Sequence, residues 1–140
     1  VMSVGGVTIK GTHWSGSSKG DNNGRLLPLP VLMPRGDPNK KPEIVAPAEG
    51  VPVLLEDGGW GIADGTSAST VYVAGALCLL LEAMPGLKAD ESDGGADNID
   101  TVKRWLKDSA LPQEGQTTHD DYYGYGLLNV RGLIDEATQE

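Results

Sequence analysis

Residues 64–84, DGTSASTVYVAGALCLLLEAM, restrict what this chain can fold into more than any other stretch. They open with a tight polar turn, Gly65–Thr66–Ser67. A run follows that is apolar on every side: Val71, Val73, Ala74, Ala76, Leu77, Cys78, Leu79, Leu80, Leu81, Ala83 and Met84. A soluble helix normally keeps one polar face, so a helix apolar all round belongs inside a protein. Gly75 and Glu82 interrupt the run, and a membrane span needs about 20 apolar residues. The pattern predicts a buried helix with Thr66 or Ser67 as its N-cap. Backbone N–H groups point outward there and the helix dipole favours negative charge. A serine in that place is either an ordinary cap or a nucleophile.

The rest of the chain limits the partners. A length of 140 residues is that of one domain. A net charge of −9 repels phosphate backbones, which argues against nucleic-acid binding. No basic amphipathic helix is present, so a membrane surface is not an expected partner either. Cys78 cannot form an internal disulfide alone, and its place in the apolar run predicts a small buried hydrophobe. The opening VMSVGGV reads as the inside of a strand, with the expectation that this chain is part of something longer.

Strands are expected over Val1–Ile9, Glu43–Ala46, Val51–Leu55 and Trp60–Ala63, the last two around an Asp57–Gly58–Gly59 turn. Residues 21–41 form a long irregular segment with four prolines. Pro85–Gly86 ends the central helix. Ile99, Val102, Trp105 and Leu106 recur at helical spacing in Asn98–Ala110. Val130, Leu133, Ile134 and Ala137 do so in Asn129–Thr138.

Four segments, in order, resemble the subtilisin-like serine proteases (subtilases). GTSASTVYVAG resembles the serine motif G-T-S-M-[AS]-x-P-x-V-A-G. VMSVGGV followed by SGSSKG resembles a strand and its S-S-x-G loop. KPEIVAP resembles K-P-[DE]-[IV]-V-A-P, and GYGLLNV resembles G-[YK]-G-[LI]-[LIV]-N. The resemblance implies an α/β fold: a largely parallel sheet flanked by helices, with a buried central helix starting at the serine. Residues 1–140 would be the C-terminal portion of one catalytic domain, with 21–40 a surface insertion.

It also implies a serine endopeptidase that forms an acyl-enzyme on Ser67. The Ser67 backbone N–H would be one oxyanion-hole donor, and Gly65 and Thr66 would border the substrate. The aspartate, the histidine and the oxyanion asparagine lie upstream in the family pattern, and none of their motifs occurs here. The implied partners are an N-terminal portion bearing them and a protein or peptide substrate, with the chain inactive alone. Secretion is what the family favours. Val71 replaces the usual proline, Tyr72 the usual histidine and Ala68 the usual methionine. The first two also fit a non-catalytic scaffold or binding subunit.

Other signals have plainer readings. His119 after Ser67 has the order of an α/β-hydrolase triad, but Ser69 breaks the G-x-S-x-G elbow. His119 and His13 are read as loop histidines. Carboxylates at Asp90, Glu91, Asp93, Asp97 and Asp100 suit a structural calcium, although the spacing is not that of an EF-hand. The expected reading is a solvated acidic loop, with no cofactor and no metal-binding residue assigned. Arg35–Gly36–Asp37 is a short match that chance supplies, and Tyr122, Tyr123 and Tyr125 read as core and turn packing.

Overall fold

The computed structural model describes residues 1–22, 35–87 and 96–139. Four strands and three helices occur among them: β1 (Val4–Val7), β2 (Ile44–Pro47), β3 (Val51–Leu54), β4 (Trp60–Ala63), α1 (Thr66–Ala83), α2 (Ala96–Ser109) and α3 (Val130–Gln139). A single 3₁₀ turn, Pro85–Leu87, follows α1.

β1 and β2 pair in parallel, from Val4 opposite Ile44 to Val7 opposite Pro47. The far side of β2 is also occupied: the Val45 N–H donates to the Gly126 carbonyl at 3.0 Å, and the Leu128 N–H to the Val45 carbonyl at 2.9 Å. A strand flanked on both sides and covered on both faces must be apolar throughout. Ile44, Val45 and Ala46 accordingly have no exposure. Val73 of α1 packs against Ile44 and Ala46 on one face. On the other, Gly5 leaves room for Val45 and Ser17, whose atoms would lie 3.0 and 3.5 Å from a Cβ there.

β3 and β4 form a separate antiparallel hairpin, Val51 opposite Ala63 and Leu54 opposite Trp60. Gly58 turns its tip with φ of 81°, a value that favours glycine. Both strands agree with the sequence expectation, as do the positions of α2 and α3.

Helix α1 ends where expected but differs in two respects. Its N-cap is Gly65, with φ of 139° and no side-chain cap, so Thr66 and Ser67 are the first helical residues rather than caps. The glycine adopts a conformation closed to L side chains, and its N–H is held by the Ala48 carbonyl at 2.7 Å. That fixes the turn one residue earlier. The helix is also buried along only one stripe, Ser69, Val73, Ala76 and Leu80. Val71, Tyr72 and Leu79 are exposed at 70%, 42% and 52%, and Cys78 is exposed as well. The expected burial of the whole helix, and of Cys78 with it, is not met within these residues. By length and composition α1 could cross a membrane, a test that core helices of soluble proteins also pass. Here its buried stripe packs on β1, β2 and α3, the position of a core helix.

A second cluster joins α1 to the other helices: Ala76 and Leu80 meet Trp105 and Leu106 of α2 and Leu133 and Ala137 of α3. Ile99, expected on the buried face of α2, is 53% exposed at its first turns. A buried charge network ties α2 to the sheet. The Glu43 carboxylate, 3% exposed, pairs with Lys41 and, at 3.3 Å, with Lys103. It also accepts the Ser3 N–H at 2.8 Å.

Candidate functional site

The serine turn is built by short tethers to β2 and to the loop after it. The Ala48 carbonyl accepts the Gly65 N–H. Asp64 accepts the Gly50 N–H at 2.7 Å. Ser69, fully buried, directs its hydroxyl at the Ala46 and Pro47 carbonyls, 3.0 Å from each. β1 approaches the same turn at Gly6, where an added Cβ would lie 2.5 Å from the Ala48 Cβ and 3.3 Å from the Thr66 Cγ2. Only glycine permits that approach. Three elements therefore converge beneath the first turn of α1 and hold it.

Ser67 itself is exposed. Among the described residues its hydroxyl has no hydrogen-bond partner, and none accepts its backbone N–H. It lies at one end of a groove of about 660 Å³ between the hairpin and α1, shared with Val51, Ala63, Asp64, Ala68 and Tyr72. Apart from Asp64, Ser67 and Tyr72, the residues lining the groove are apolar. What this arrangement supplies is a free hydroxyl and a free N–H at a rigid helix start. An imidazole base, which a serine needs to become a nucleophile, is not in the groove.

Both histidines lie elsewhere, and neither lines the groove. His119 Nε2 lies 2.9 Å from the Pro42 carbonyl, with its ring edge-on to Tyr125 at 4.8 Å. It is half-buried rather than the solvated loop histidine expected, and it lines a different cavity, which does not contain Ser67. His13 lies edge-on to Tyr122 at 5.0 Å, with its backbone N–H on the Tyr123 hydroxyl. Of the three tyrosines, Tyr122 is exposed and stacks under Lys19, and Tyr125 donates its hydroxyl to Asp37 at 2.6 Å. That bond, with Lys40 3.3 Å away, lowers the Asp37 carboxyl below its ordinary value, against a smaller opposing effect of burial. Burial and the bond to Asp37 push the Tyr125 phenol up. The Arg35–Gly36–Asp37 tripeptide thus has its carboxylate committed to its own fold.

Most of the acidic loop, and most of the 21–40 segment, lie outside the described residues. Among the described residues no group of three His, Cys, Asp or Glu side chains is arranged to hold a metal. Sequence reasoning missed Ser69 and Glu43. Ser69 had a legible signal: it precedes Val73 by four residues, on the buried stripe, where a polar side chain requires a partner.

The sequence pattern of the Subtilase family matches residues 1–126. No curated protein sequence matches. Among solved structures, the CspB protease of Clostridium perfringens is similar over 99% of this chain and 26% of its own, at 23% identity and a TM-score of 0.72. The patellamide maturation protease PatA is similar over 99% of this chain and 43% of its own, at 24% identity and a TM-score of 0.66. The prenylagaramide maturation protease PagA is similar over 100% of this chain and 43% of its own, at 26% identity and a TM-score of 0.65. The chain thus spans less than half the length of these three proteases.

Proposed function

This chain belongs to the subtilase family, and from that premise we propose that it is the serine-bearing part of a serine endopeptidase. Ser67 is the nucleophile. Its Oγ attacks the scissile carbonyl carbon while its proton passes to a histidine on an N-terminal portion of the enzyme, where an aspartate orients that histidine. The carbonyl oxygen becomes an oxyanion, bonded by the Ser67 N–H and by an asparagine of the same N-terminal portion. Collapse expels the amine with the histidine's proton, and water then hydrolyses the ester on Ser67 to regenerate the hydroxyl. Gly65 and Thr66 border the substrate beside the scissile bond. Residues 1–140 constitute the C-terminal portion of one catalytic domain, with 21–40 as a surface insertion, and no cofactor takes part.

One observation carries this reading: a serine whose hydroxyl and N–H are both unengaged, on a helix start held by Gly65 and Ser69. A cap would have spent its hydroxyl on the helix. Co-production with the N-terminal portion tests it. Peptide hydrolysis should need both parts and vanish in Ser67→Ala. A folded assembly that binds peptides but never cleaves them would instead favour the non-catalytic scaffold that Val71 and Tyr72 fit.

A further inference from the structure

The hairpin has a second side that the reaction does not use. Side chains alternate along a strand, and directly opposed residues share a face. Pro52 opposes Ile62 and Leu54 opposes Trp60. Leu54, Trp60 and Ile62 therefore share one face, the reverse of the one that Val51 and Ala63 turn to the groove; Pro52, opposite Ile62, borders that groove as well. The shared face is fully open: Leu54, Trp60 and Ile62 are 68%, 74% and 76% exposed. Solvent-facing strands seldom carry such residues, and a contiguous exposed apolar patch marks an interaction site.

The charges around it have one sign. Glu49 and Asp64 stand at the base of the hairpin and Glu56 and Asp57 at its tip, all exposed. Residues 49–66 contain no lysine or arginine. An apolar strip bounded at each end by carboxylates complements an extended segment with apolar residues between two basic ones. At about 3.3 Å per residue, carboxylates seven positions apart call for basic residues five to seven apart. Trp60, the first residue of β4 after the turn and the aromatic member of the face, is the residue type that anchors such contacts. The strand also leads to the chemistry: Ala63 at its end lines the groove with Ser67.

We propose that the Leu54–Trp60–Ile62 face docks a basic-flanked apolar segment of the polypeptide substrate, outside the segment that is cleaved. The proposal rests on the protease reading for the identity of the occupant. The docking itself does not need Ser67.

The test uses the full chain assembled with its N-terminal portion and carrying Ser67→Ala. The probe is the labelled peptide acetyl-Lys-Leu-Thr-Val-Thr-Leu-Lys-amide, followed by fluorescence anisotropy. It should bind saturably, and more weakly as salt rises, because exposed charges are screened within about 8 Å at 0.15 M. Trp60→Ser with Ile62→Ser should weaken it at least tenfold. Glu56→Lys with Asp57→Lys should weaken it and admit the same peptide with glutamates for lysines. In the serine form, adding the docking segment to a cleavable peptide should lower KM several-fold. No binding, or binding unmoved by both double variants, overturns the docking face. Binding that leaves KM unchanged overturns the substrate as its occupant. Protection of Trp60 from oxidation in the peptide-free assembly also overturns it, since another part of the enzyme then covers the face. A serine form that docks the peptide yet never cleaves it would count against the protease reading and leave the face standing.

Discussion

Two serines two positions apart have opposite environments, and the difference fits the separate roles proposed for them. Ser67 is exposed and its hydroxyl makes no hydrogen bond among the described residues, whereas Ser69 is buried and bonds two β2 carbonyls. Ser67→Ala should abolish hydrolysis yet shift stability by no more than about 0.5 kcal/mol, as surface changes do. Ser69→Ala should cost about 1–3 kcal/mol, because the Ala46 and Pro47 carbonyls lose their donor inside the fold. Chemical denaturation of both variants checks the contrast. The Asp37–Tyr125 bond makes a smaller prediction. Asp37 is half exposed, so Tyr125→Phe should cost under about 1 kcal/mol. The Asp37 carboxyl sits below its ordinary 3.8 in the fold. Its contribution is therefore complete above that value and disappears as pH falls through the lower folded one. Parent and variant should differ at pH 7 and converge in acid. The raised Tyr125 phenol acts in the other direction: its stabilisation is present below pH 10 and is lost as pH rises through the higher folded value.

At the scale of elements, the tie between α2 and the sheet depends on Glu43. Removing one member of a buried ion pair leaves an uncompensated charge and costs about 3–5 kcal/mol. Glu43→Gln and Lys103→Met should each fall in that range by denaturant titration, and the double variant should recover part of the loss. This network was not legible in the sequence, since Lys103 is 60 positions from Glu43 and on a different element. Local pattern did show β2, the hairpin and the helices, because periodicity and the Asp57–Gly58–Gly59 turn act over a few residues. Ser67 was singled out by its motif, and the free state of its hydroxyl needed the fold. The cap was misread for a reason of backbone conformation: Gly65 alone accepts the turn, which moves the helix start. The burial of α1 was misread because apolarity all round reports what a helix packs against in its complete environment. In these residues only one stripe of it has a partner.

The molecule as a whole has apolar surface on two sides, the outer stripe of α1 and the outward face of the hairpin. The family match covers nearly all of the chain, while the chain covers under half of each protease compared. Produced alone, residues 1–140 should aggregate, because patches of this kind associate when uncovered. Size-exclusion and thermal melting check this; a soluble monomer with one cooperative transition would contradict it. The central claim concerns the serine. A fluorophosphonate added to the chain assembled with its N-terminal portion, followed by peptide mass mapping, tests it most directly. The account predicts one phosphonate per molecule, on Ser67, absent in Ser67→Ala. A correctly folded assembly that stays unlabelled, or is labelled at another residue, would contradict it.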